Sequence, residues 1–142
     1  MNERPVVLSV DDEPAVTGLV RLYLNAAGYE VMAAGSAAEA LSAIRVRRPD
    51  LILLDLMLPD IDGLSFCELL RGTKSTASIP VALLTGWSLP DSRKLGEELG
   101  ARAFLNKPFT AQQLVERVRE LLASRRSSAA RNRRAADGSA SG

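Results

Sequence analysis

Apolar positions along the chain follow two alternating periods. Short, nearly unbroken apolar runs lie at Val6 to Val10 (VVLSV), Leu51 to Pro59 (LILLDLMLP) and Pro80 to Thr85 (PVALLT), with two further short runs at Glu30 to Ala34 and Ala103 to Asn106. Runs of this length, bounded by Pro, Gly and polar residues, predict strands, and the most apolar of them predict strands covered on both faces. Between them the spacing turns helical. Pro14 opens a segment with Val16, Leu19, Val20, Tyr23 and Leu24 on one face, which Gly28 stops. Ser36 and Glu39 form a capping box ahead of Ala40, Leu41 and Ile44. Leu64, Cys67 and Leu70 line a helix that ends at Gly72, after a turn at Asp60 to Gly63. Asp91 to Leu99 predicts a helix weakened internally by Gly96 and closed by Gly100. Thr110 and Gln113 cap a last helix through Leu122. Five strands alternating with helices argue for one doubly wound parallel sheet, whose right-handed crossovers leave helices on both faces.

Asp55 breaks the pattern. An ionised carboxylate inside an apolar run is costly to bury without partners, so Asp55 is expected at the exposed end of its strand, met by groups from other segments. Ligands of a doubly wound sheet sit beyond the carboxyl ends of its strands. Those ends carry Asp11 and Asp12, Asp55, Thr85 and Lys107.

Composition narrows the chemistry. The 142 residues suit one domain, expected over residues 1–123. There is no histidine, which removes the commonest metal ligand and general base. Any metal is then hard and oxygen-ligated, and magnesium beside a phosphate fits three converging carboxylates. A single cysteine, Cys67, allows no intrachain disulfide, and it falls at helical spacing with core residues. Without a signal peptide or a bilayer-length apolar run, a cytoplasmic protein with no membrane partner is expected. The net charge of +1 hides an asymmetry: five arginines against Asp137 make residues 124–142 a +4 tail, while the rest of the chain is −3. The tail is rich in Ser, Ala, Gly and Arg with no apolar period, so it reads as a disordered segment. It lacks interleaved aromatic residues and a helical apolar face, so neither nucleic acid nor lipid is its expected partner.

An aspartate oxygen is a competent nucleophile toward phosphorus when a metal neutralises its surroundings. A lysine ammonium and a threonine hydroxyl at neighbouring strand ends can hold the phosphoryl oxygens. The residues therefore predict a phosphoacceptor site built on Asp55.

Four motifs, SVDDEP (Ser9 to Pro14), LLDLMLPDIDG (Leu53 to Gly63), LLTG (Leu83 to Gly86) and NKPF (Asn106 to Phe109), occur in order and at a spacing that resembles the receiver domain of two-component response regulators. The resemblance covers about residues 4–123 and implies a flavodoxin-like fold with strand order 2-1-3-4-5. It implies Asp55 as the phosphorylated aspartate, Asp11 and Asp12 as the acidic pair with Asp12 the direct magnesium ligand, and a metal-facing backbone carbonyl at Met57. It implies Thr85 as the switch hydroxyl, Phe104 as the aromatic switch position, Lys107 as the phosphate-contacting lysine, and a cis bond from Lys107 to Pro108. Gly86 departs from the usual Ala or Ser. The resemblance also implies that Met57 and Trp87 fall at the two positions that flank the path of an attacking water; neither can orient one, so they are expected to shield the phosphorylated state, with an outward-turned Trp87 serving as a partner contact as the alternative.

The expected function is that of a single-domain response regulator. It would take a phosphoryl group from a histidine kinase or phosphotransfer protein and signal by contact with a downstream protein. Two alternatives stand beside it, and a third, a docking domain that works without phosphorylation, is disfavoured by the intact site. One is a receiver cut from a larger regulator with a DNA-binding or enzymatic output domain. The other is a magnesium-dependent phosphatase with an Asp nucleophile, which would want a second Asp where this chain has Met57. Taken singly, several of these residues have plainer readings: an N-cap for Asp11 or Asp12, strand filler for Thr85, a core aromatic for Phe104, turn acids for Asp60 and Asp62.

Overall fold

A computed structural model describes residues 4–86, 94 and 96–124. Five parallel strands form one sheet: β1 (Val6–Val10), β2 (Glu30–Ala34), β3 (Leu51–Asp55), β4 (Val81–Thr85) and β5 (Ala103–Asn106), in the order β2-β1-β3-β4-β5. The helices between them are α1 (Pro14–Ala26), α2 (Ala37–Val46) and α3 (Gly63–Gly72), then α4, to which residues 94 and 96–98 belong, and α5, residues 111–124. This is the doubly wound sheet that the alternating pattern predicts, with the flavodoxin-like strand order that the resemblance implies.

Every residue of β1, β3 and β4 is buried, which explains why these strands read as continuous apolar runs. Alternate side chains enter two cores. Leu8, Val10, Ile52, Leu54 and Leu83 pack with Ala40 of α2 and Phe66, Cys67 and Leu70 of α3. Val7, Leu51, Leu53 and Leu84 pack with Val20 and Leu24 of α1 and Leu114 and Val118 of α5. Each fully buried leucine contributes about 2 kcal/mol from removal of apolar surface. That surplus is what tolerates carboxylates at the rim.

Helix ends follow local rules, with a looser box at one of them. Gly28 and Gly100 take left-handed conformations, with φ of 96° and 106°, after α1 and α4. Thr110 and Gln113 exchange both bonds of a capping box, at 2.9 and 3.1 Å. At α2 the box is looser: Ser36 Oγ accepts from Glu39 N at 3.1 Å, but the Glu39 carboxylate reaches back to Gly35 N. Strand β3 ends at Asp55 rather than running to Pro59, because Leu56 and Leu58 turn onto the α2 and α3 side while Met57 faces solvent.

Candidate functional site

Four strand ends build one crevice. At the end of β1, Asp11 N donates to Ala34 O at 3.0 Å, extending the strand by one residue, and Asp11 Oδ1 accepts from Glu13 N at 2.9 Å. That second bond turns the chain sharply into α1, whose first turn starts at Pro14. Asp11 is buried, whereas Asp12 and Glu13 are exposed at the rim.

Asp55 stands at the end of β3, where Gly63 presses against its backbone. A Cβ on Gly63 would lie 2.4 Å from Asp55 O and 2.6 Å from Leu56 Cα, so only glycine allows α3 to start this close. Gly63 N donates to Leu56 O at 2.7 Å and closes the base of the intervening loop. Within that loop, Met57 N donates to Asp55 Oδ1 at 3.2 Å.

Lys107 follows β5, its N–H bonded to Thr85 O at 2.8 Å, and the peptide bond to Pro108 is cis. Its ammonium lies 2.7 Å from Asp11 Oδ2, 3.3 Å from Asp55 Oδ2 and 3.6 Å from Glu13 Oε1. Burial disfavours that charge, but the hydrogen bond to Asp11 and the charges of Asp11 and Asp55 together hold the Lys107 pKa above its ordinary value. Burial pushes the Asp55 carboxyl up, and the charge of Asp11 adds to this, against the opposing pull of Met57 N–H and Lys107. One ammonium therefore holds carboxylates that would otherwise repel.

Carboxylate oxygens of Asp11, Asp12, Glu13 and Asp55 all lie within 4.8 Å of one another, close enough for a single hard cation to be held among them. The donor set is oxygen only, and both oxygens of Asp11 already have protein partners, so exposed Asp12 offers the more accessible ligand. The crevice holds about 350 Å³ and is lined by Glu13, Asp55, Leu56, Met57, Thr85, Gly86 and Lys107.

The predicted site residues thus fall into three groups. Asp11, Asp12, Asp55 and Lys107 converge, with Thr85 buried in the adjoining wall and Met57 exposed at the mouth. Phe104 pairs in register with Leu83 and joins the α2 and α3 core, so it sits one strand away from the crevice. Trp87 and residues 125–142 of the basic tail lie outside the described residues. Two acids carry more than their sequence context suggests. Glu13 joins the cluster, which its place after Asp11 and Asp12 could have signalled. Asp60 binds the start of α2 from 22 and 23 residues away, for which no local signal exists.

The family of response regulator receiver domains matches residues 7–119, so the chain belongs to this family of phosphoacceptor signalling domains. The chain is 41% identical over 118 residues to the DNA-binding dual master transcriptional regulator RpaA of Synechocystis, covering 83% of this chain and 49% of that protein. It is 38% identical to the DNA-binding response regulator MtrA of Mycolicibacterium smegmatis, covering 84% of this chain and 51% of that protein. The chain therefore spans about half the length of these curated relatives. Among solved structures, the chemotaxis protein CheY4 of Vibrio cholerae has a TM-score of 0.80 at 30% identity, covering 84% of this chain and 99% of that one. No described helix is long and apolar enough to cross a membrane.

Proposed function

We propose that Asp55 accepts a phosphoryl group from a histidine kinase or phosphotransfer protein, and that the resulting state signals by contact with a downstream protein. The observation that carries this reading is the Lys107 ammonium shared between Asp11 and Asp55 in a crevice of four carboxylates. In the transfer, an Asp55 carboxylate oxygen forms a bond to phosphorus as the phosphorus–nitrogen bond of the donor imidazole breaks, leaving its electron pair on that nitrogen. Asp11, Asp12, Asp55 and the Met57 carbonyl would hold magnesium. When bound, it neutralises the acidic cluster and the phosphoryl oxygens that approach it. Lys107 moves its charge from Asp11 toward the arriving phosphoryl group, and the Thr85 hydroxyl binds a second phosphoryl oxygen. Drawing Thr85 inward makes room for Phe104 and passes the change to β5.

An acyl phosphate is cleaved by hydroxylamine, whereas a phosphoserine or phosphothreonine ester is not. Label acquired from acetyl phosphate with magnesium should therefore be lost in hydroxylamine, and label that survives would contradict an aspartyl phosphate.

A second reading follows from the relatives, whose names describe DNA binding. In it, residues 1–123 are the receiver and residues 124–142 lead toward an output domain of a longer regulator. The sequence of the complete gene decides between the two.

A further inference from the structure

The first N–H groups of helix α2, those of Ala37, Ala38 and Glu39, have no partner inside the helix. Glu39 N is satisfied locally by Ser36 Oγ at 3.1 Å, while Ala40 N makes the first intrahelical bond, to Ser36 O at 3.0 Å. The other two are satisfied by one carboxylate from the loop after Asp55. Asp60 Oδ1 accepts from Ala37 N and Asp60 Oδ2 from Ala38 N, each at 3.0 Å. These bonds, that to Ala37 first, hold the Asp60 carboxyl below its ordinary range.

The loop is therefore tied at each end and at its apex. Gly63 N to Leu56 O closes its base, Asp62 caps α3 through Ser65 N at 2.8 Å, and Asp60 fastens the apex to α2. Met57 lies between the base and the apex, bridged to Asp62, and its N–H meets Asp55 Oδ1 at 3.2 Å. That distance is at the long end for an N–H to oxygen bond, so a loop shift of about 0.5 Å breaks it.

We infer that Asp60 is a positioning residue for the acceptor: by anchoring the loop to α2 it holds Met57, and through Met57 it orients the Asp55 carboxylate. The inference rests on the phosphoacceptor reading of Asp55. A cap serving α2 alone would affect stability and nothing at Asp55, which separates the two roles.

The test uses the whole chain as wild type, Asp60→Ala, Asp60→Asn and Ser36→Ala. Ser36→Ala removes the neighbouring cap on the same helix and leaves the loop untouched. Two quantities are read: exchange protection of the Met57 amide, and the rate of labelling by acetyl phosphate with magnesium. Asp60→Ala is expected to lose Met57 protection and label about tenfold more slowly, with Asp60→Asn intermediate and Ser36→Ala like wild type. Asp60→Asn carries the comparison if Asp60→Ala does not fold. Met57 protection and labelling equal in the Asp60 and Ser36 variants would overturn the inference. A wild type that takes no label would remove the reading of Asp55, and the Met57 amide would still decide whether Asp60 positions the loop.

Discussion

The Lys107 ammonium lies nearer to Asp11 than to Asp55, at 2.7 against 3.3 Å, and the Asp11 side chain is wholly buried. Removing Lys107 leaves two buried like charges without their shared counter-ion. Lys107→Met is expected to cost about 3 kcal/mol of stability in urea melts, of which excess magnesium recovers part. A loss below about 0.5 kcal/mol would show the pair to be solvent-screened.

Asp55→Asn should stabilise the fold while it removes the acceptor. The Asp55 pKa is raised above its ordinary 3.8, so the charged form is disfavoured in the folded state. Its destabilising contribution is present above the folded pKa and fades as pH falls through that value toward 3.8. Calorimetry should find a melting temperature roughly 2–5 °C higher for Asp55→Asn at pH 7 without magnesium, and a smaller gain in acid. Lys107 behaves oppositely. Its contribution is in place below its ordinary 10.5 and is lost as pH rises through its higher folded value.

Two helical glycines should respond with opposite signs. Nothing lies within 4 Å of a Cβ added at Gly18, so Gly18→Ala should stabilise by about 0.5–1 kcal/mol through helix propensity. A Cβ at Gly96 would lie 2.7 Å from Phe104 Cζ and 2.8 Å from Leu83 Cδ1, so Gly96→Ala should destabilise by about 1–3 kcal/mol. Urea melts of the two variants check both signs.

These glycines also show what a sequence can carry. Propensity alone makes Gly96 a weak point in its helix, whereas the structure makes it the place where α4 meets the Phe104 ring. Strands β1, β3 and β4 were legible because full burial writes itself as an apolar run, and the Thr110 capping box because its partners are three residues apart. Asp55, Asp11 and Lys107 were legible together because parallel strands end at one edge of the sheet. The role of Asp60 was not, since its partners are Ala37 and Ala38 backbone groups on another crossover. Strand β2 carries only one buried residue, and its short, mixed run is correspondingly the fainter signal.

Met57 is 64% exposed at the mouth of the crevice. If its side chain screens the phosphorus from water, Met57→Asn should shorten the half-life of the phosphorylated protein several-fold with unchanged loading. An unchanged half-life would remove Met57 from the shield.

Every role proposed for the crevice depends on Asp55 taking the phosphoryl group. Intact-mass spectrometry after incubation with acetyl phosphate and magnesium measures it most directly, on wild type and Asp55→Asn side by side. Wild type should gain the mass of one phosphoryl group, lose it on standing and fail to gain it without magnesium, while Asp55→Asn should gain none. Equal gain by Asp55→Asn would contradict the account.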